Sequence, residues 1–223
     1  MAWHGVESDV LRWVRKRIIS WYRRRGSRYS WRTTKDPYKV FIAEILLRRT
    51  TATAVSRVFD QFISRFPTVQ TLAAAEECDI TEIVSSLGLQ NTRAKHLREA
   101  AQIIVQQFDG MIPDTETALK QLPGLGRYGV AAVLNFAFSI PRPMVDGNIL
   151  HLFRRVFGLS FRSVDDEEAW LLAERLGGRR QPPELYWGMI DLVAQVCLRR
   201  RPRCEQCPLS SRCKYRQRGS ATS

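Results

Sequence analysis

Residues 122–146, LPGLGRYGVAAVLNFAFSIPRPMVD, decide how this chain folds. Asp114 behind Pro113 is a candidate helix N-cap, so a short helix is predicted over 115–121, and Gly124 and Gly126 then allow a tight turn into a second helix from about Arg127. The prediction is a hairpin of two helices. Glycines at such a turn let the backbone approach a ligand closely, and the free N–H groups where the second helix starts at Arg127 form an anion site suited to a phosphate. Gly129, Ala131 and Ala132 let that helix sit close to a neighbour. Beyond the breaker run Pro141-Arg142-Pro143, Asp146 stands at the N-cap position of an apolar helix predicted over 147–157.

Outward from this stretch the chain reads as all-α. Val10, Leu11, Val14, Ile18 and Tyr22 recur at helical spacing with arginines opposite, predicting a helix over 8–23, and the polar run 24–35 reads as a loop. Asp36-Pro37 is an N-cap with proline at the first helical position, opening a helix over 38–49. Further helices are predicted over 52–65, 69–75, 80–86 and 93–108 before the hairpin, and over 166–176 and 184–197 after Asp146. No segment of consequence alternates with a period of two. Residues 214–223 read as a disordered tail.

With 223 residues, 44% of them hydrophobic, the chain can bury one sizeable core or two small domains. Lys and Arg number 35 against 22 Asp and Glu, a net charge of +13. The partner implied is a polyanion, nucleic acid before a membrane surface. No apolar run of membrane-spanning length occurs, and Arg12, Arg15, Lys16 and Arg17 interrupt the first helix where a signal peptide is apolar, so a soluble intracellular protein is expected.

Four of the five cysteines, Cys197, Cys204, Cys207 and Cys213, crowd into one C-x6-C-x2-C-x5-C run, which is no secreted disulfide framework. Four thiolates so close should hold a metal centre, and spacing rules alone leave zinc and iron–sulfur open. Arg199, Arg200, Arg201, Arg203 and Arg212 decorate the run. Cys78 reads as a buried small hydrophobe, and His4, His96 and His151 show no ligand spacing and receive no role.

Two carboxylates stand out. Asp146 at a helix N-terminus has its ionised form favoured by backbone N–H groups and the helix dipole. Glu44 shares a stripe with Val40 and Leu47 on the apolar helix VFIAEILL, where desolvation raises a carboxyl pKa as a general acid requires.

LPGxG, a helix, and VD at this distance, together with the cysteine run, resemble the helix-hairpin-helix DNA glycosylases related to endonuclease III and the adenine-DNA glycosylase, over about residues 31–213. The segment 44–52, EILLRRTTA, is similar to the thymine-DNA mismatch glycosylases of that superfamily. The resemblance implies two helical domains: a central bundle with the hairpin over 38–138, and an iron–sulfur domain from 1–37 and 139–213, with the active site in the cleft between them. It implies a [4Fe-4S] cluster on Cys197, Cys204, Cys207 and Cys213, fixing a basic surface against DNA phosphates. Asp146 becomes the stabiliser of a cation-like sugar or activator of water, and Glu44 the acid of the adenine glycosylase motif. Tyr128 stands where endonuclease III has the lysine that forms a Schiff base, so strand cleavage is expected to be weak or absent. Arg49, and Leu89 or Gln90, would enter the duplex to replace a flipped base, with Arg49 pairing the orphaned guanine.

The function expected is a monofunctional glycosylase removing thymine, and uracil, opposite guanine in double-stranded DNA, as a monomer in the cytoplasm or nucleoid. An adenine glycosylase acting opposite oxidised guanine is the enzymatic alternative, favoured by VDGN at 145–148; Arg48-Arg49 in place of two glutamines, and only ten residues after Cys213, speak against it. A non-catalytic mismatch-binding protein is the remaining alternative, and the presence of both Asp146 and Glu44 weighs against that.

Overall fold

The computed structural model describes residues 5–219, and every regular element among them is helical. The chain divides into two compact units, one running from Arg28 to Ile140 and the other formed by the residues up to Ser27 with those from Pro141 onward. No helix among the described residues is long and apolar enough to cross a membrane.

The unit built from both ends of the chain begins with α1 (Ser8–Arg25), which buries Leu11, Val14, Ile18, Trp21 and Tyr22 on one face. Within Arg28–Ile140 follow α2 (Ser30–Thr33), α3 (Pro37–Leu46), α4 (Ala52–Ser56), α5 (Phe59–Arg65), α6 (Val69–Ala73), α7 (Glu77–Val84), α8 (Gln90–Gln107), α9 (Glu116–Leu119) and α10 (Arg127–Phe136). The chain then completes the first unit with α11 (Gly147–Phe157), α12 (Glu167–Gly177), α13 (Pro183–Gln195) and α14 (Lys214–Gly219). There α1 lies along α13, and Gly188 sets the distance: a Cβ on it would stand 2.7 Å from Ile18 Cγ2 and 3.3 Å from the Ile18 carbonyl oxygen. α11 rests on α13 and α14 and buries Ile149, Leu150, Leu152, Phe153 and Val156. In the other unit α8 is the central strut, against which α6, α7 and α3 pack, while α10 lies on α3 and α9.

Several predicted elements shift for identifiable reasons. The predicted loop over 24–35 contains α2, a single turn too short for periodicity to register; burial of Trp31, stacked on Tyr29 and edge-on to Phe59, holds it. The helix predicted over 52–65 is two helices, because Arg57 and Val58 bond back to the carbonyls of Ala54 and Val55, tightening the last turn of α4. Val55, Val58, Phe59 and Phe62 are all buried by that break. α3 ends three residues before its predicted end, and α8 starts three residues before its predicted start, for a shared reason given below. Thr115, not Asp114, caps the first hairpin helix, its hydroxyl accepting from the Ala118 N–H at 3.4 Å. The tail predicted to be disordered from 214 is helical over Lys214–Gly219, anchored by Tyr215 beneath the Arg155 guanidinium at 4.4 Å; its last residues, 220–223, lie outside the described region. Cys78 is exposed, since α7 turns Ile80 and Val84 inward and leaves position 78 on the opposite side.

Candidate functional site

Asp146 is the N-cap of α11, and each of its oxygens has a defined partner. Oδ1 accepts from the backbone N–H groups of Asn148 at 2.9 Å and Ile149 at 2.7 Å, and Oδ2 accepts from the Asn148 side-chain amide at 3.1 Å. The carboxylate therefore has a fixed orientation. Burial nevertheless pushes its carboxyl above the ordinary aspartate range, outweighing those donors and the Arg199 charge that pull it down. The sequence expectation that N–H groups would dominate is corrected here, because the cost of desolvating a carboxylate exceeds what the helix terminus returns. Arg199 donates to the Gly147 carbonyl at 3.2 Å, so a residue of the cysteine run reaches the first turn of Asp146's helix.

The cysteine run is itself fastened to α11. His151 Nε2 donates to the Cys197 carbonyl at 3.1 Å, and Arg155 donates to the carbonyls of Leu198 at 2.8 Å and Arg199 at 3.0 Å. Burial, with the neighbouring Arg155 charge, lowers the His151 pKa. Cys197, Cys204, Cys207 and Cys213 line one pocket together with Arg155 and Tyr215, and none is in a disulfide. Burial pushes the Cys197 thiol up and Cys207 up to about 12, and the neighbouring cysteines add to both shifts. No group of three His, Cys, Asp or Glu among the described residues is drawn to the spacing of a single bound ion. Four thiols around one pocket, without disulfides, have the donor chemistry of a soft metal centre, and loading one would release their protons. The arginines of the run, Arg199, Arg200, Arg201, Arg203 and Arg212, are exposed.

In the other unit, Glu44 is buried within α3, at 6% exposure, among residues that are almost all apolar. The hairpin turn reaches the same helix. Gly124 has φ +93°, and a Cβ there would stand 3.2 Å from His96 Cβ and 3.4 Å from Ile45 Cδ1. Gly126, the N-cap of α10, is exposed, a Cβ on it would have nothing within 4 Å, and Arg127 beside it is exposed. Tyr128 is half-buried in the first turn of α10.

Arg49 and Leu89 are both exposed and both lie in the left-handed region, at φ 53° and 52°, while Gln90 opens α8. Between their two segments sits Arg93, a buried guanidinium at 4% exposure. Its Nη1 donates to the carbonyls of Ile45 at 2.6 Å and Leu46 at 3.1 Å, and its Nη2 to those of Arg48 at 3.0 Å and Gly88 at 3.3 Å. This cation at the C-terminus of α3 is why the helix can stop at Leu46, and why α8 can begin at Gln90 behind a left-handed Leu89. Arg48 in turn donates to His96 Nδ1 at 3.4 Å, and burial and the Arg48 charge lower the His96 pKa.

The sequence pattern of the HhH-GPD superfamily base excision DNA repair proteins matches residues 42–175, more than half of the chain. The chain belongs to that superfamily. A thymine-DNA glycosylase of Aeropyrum pernix is 38% identical over 208 residues, 91% of this chain and 93% of that protein. An adenine DNA glycosylase of Buchnera aphidicola is 32% identical over 200 residues, 88% of this chain but 57% of that protein. Among solved structures, a thermostable thymine-DNA glycosylase superposes with a TM-score of 0.87 at 32% identity, covering 93% of this chain and 97% of that one. The superfamily is one of base excision DNA repair proteins. Residues with no role legible in the sequence do the fastening: Arg93 and His96 hold the end of α3 against α8, and His151 and Arg155 hold the cysteine run to α11. The available signal for Arg93 was its place four residues before Leu97 and seven before Ala100, on the apolar face of α8, and the charged Lys95 and Arg98 nearby hid it.

Proposed function

We propose that the protein is a monofunctional DNA glycosylase that hydrolyses the N-glycosidic bond of thymine, and of uracil, mispaired with guanine in double-stranded DNA. The observation that carries this is the fixed, half-buried Asp146 carboxylate in a chain similar over nearly its whole length to a thymine-DNA glycosylase. As the C1′–N1 bond breaks, the electron pair leaves with the base and the sugar becomes cation-like; water then adds at C1′ and gives up a proton, leaving free thymine and an abasic site. An anion held in place before the reaction, in a site where water screens it little, stabilises that cation without reorganising. This is the role assigned to Asp146. Glu44, buried in an apolar helix, is assigned as the acid that protonates the departing base.

Tyr128 has no amine, so no Schiff base forms and the abasic strand stays intact. The bare turn at Gly124 and Gly126, with Arg127, is assigned to the phosphate backbone, and Arg49, Leu89 and Gln90 to the space the flipped base vacates. Cys197, Cys204, Cys207 and Cys213 are assigned as ligands of a [4Fe-4S] cluster, whose contribution when bound is to hold the arginine-bearing loop in shape. The protein acts as a monomer.

The test is single-turnover release of base from labelled duplexes carrying T·G, U·G, A·G, A opposite oxidised guanine, and matched pairs, each read with and without alkali. Thymine release from T·G that becomes a strand break only after alkali is the expected result. Adenine release in its place overturns the thymine assignment, and breaks without alkali overturn the role given to Tyr128.

A further inference from the structure

We propose that Arg93 is the positioning residue that locks the two segments assigned to enter the duplex, one carrying Arg49 and the other Leu89, into a single rigid wedge. The inference rests on the reading of Arg49 and Leu89 given above, but its physical basis is separate. One guanidinium donates to three carbonyls at the end of α3 and to the Gly88 carbonyl, bridging two segments about 40 residues apart in sequence. Each segment has its exposed probing residue next to a bridged carbonyl, Arg49 after Arg48 and Leu89 after Gly88, and each of those residues is in the left-handed region. Non-glycine residues hold that conformation only where the surroundings impose it. Leu89 is 54% exposed, so its own side chain has little packing to hold it, and the imposed geometry comes from the backbone on either side. Arg93 Nε is buried without a hydrogen-bond partner, so the side chain is placed for its four carbonyl bonds at the expense of a fifth.

A lysine could reach one or two of these carbonyls as a point charge but lacks the planar fork that bridges both segments. Entering DNA requires force against base stacking, and a wedge whose two tips move independently yields to it.

The experiment places 2-aminopurine beside the mispair in a T·G duplex and measures its unstacking on binding, with single-turnover thymine release on the same duplex and on one with thymine opposite a one-nucleotide gap. Arg93→Lys is expected to keep DNA binding, lose most of the fluorescence rise, and slow release from T·G by about 10- to 100-fold, the size of losing charge-assisted hydrogen bonds. Release opposite the gap, where little stacking opposes flipping, should change far less. In a Leu89→Ala background the Arg93→Lys effect should shrink, because the two act through one device. Equal slowing on both duplexes, or full additivity with Leu89→Ala, assigns Arg93 to general folding and overturns the proposal. If Arg93→Lys does not fold, Gly88→Ala serves: its φ is +74° and a Cβ there meets nothing, so it disturbs the segment without crowding it. Wild-type fluorescence in that variant also overturns the proposal. A wild-type protein that unstacks the probe yet releases no thymine refutes the thymine reading alone.

Discussion

Replacing the two glycines of the hairpin turn one at a time separates the fold from the phosphate contact. Gly124→Ala puts a Cβ on a residue with φ +93°, and that Cβ meets His96 Cβ at 3.2 Å and Ile45 Cδ1 at 3.4 Å. The backbone term costs about 1–2 kcal/mol and the crowding about 1–2 more, since both neighbours sit on helices packed into the unit's core. For a chain of this size a loss of about 2–4 kcal/mol lowers the melting midpoint by roughly 4–16 °C. Gly126→Ala differs in every respect. Its φ is −92°, nothing stands within 4 Å of the added carbon, and the N-cap change costs under about 1 kcal/mol. Its effect falls on DNA, where a methyl group on the bare turn lengthens the approach to a phosphate and weakens binding by about tenfold, as loss of one charge-assisted hydrogen bond does. Calorimetry and fluorescence-anisotropy titration of both variants provide the measurement. A Gly124→Ala midpoint within about 1 °C of wild type would refute the strain argument. Undiminished DNA binding by Gly126→Ala would remove the turn from the interface.

Asp146→Asn is expected to abolish base release while raising the melting midpoint at neutral pH. Its carboxyl is raised in the folded protein, so the stability it contributes is present below the unfolded value and lost as pH rises through the folded one; the amide escapes that cost while Oδ1 still accepts. A variant that is inactive and less stable contradicts the desolvation argument. The same shift places the acid limb of the T·G release rate above the ordinary aspartate range, since the ionised form is the working one, and a limb at or below that range takes Asp146 out of the role. His96 has the opposite sign: its folded pKa lies below the unfolded one, so its contribution is full above about pH 6.5 and fades below it. The midpoint should therefore fall on acidification through that window, and less steeply in His96→Gln; identical slopes exclude His96 as the source. Cys204→Ser should lose iron and the visible absorbance of the cluster together with DNA affinity, measured by metal analysis and titration. Wild-type protein purified without iron and fully active disproves the cluster assignment.

The sequence by itself determined what local chemistry determines. Asp36 and Asp146 cap their helices because an acceptor lies within two or three residues of the donors it serves, and the turn at 122–126 follows from where glycine permits the chain to go. The all-helical class followed from periodicity, and the crowding of four cysteines from their spacing. Tertiary structure decided everything that depends on a partner far along the chain. Arg93 finds carbonyls 45–48 residues before it, and Arg155 and His151 find theirs 42–46 residues beyond them, so no short window of sequence contains both halves of either bond. The end of α3 departs from expectation because Leu47, Arg48 and Arg49 have good helix propensity; a buried guanidinium drawn in by the fold takes up the carbonyls that another turn of helix would have used. The Asp146 pKa runs against expectation for the same reason: the donors that lower it are its neighbours in sequence, and the burial that raises it is built by the rest of the fold.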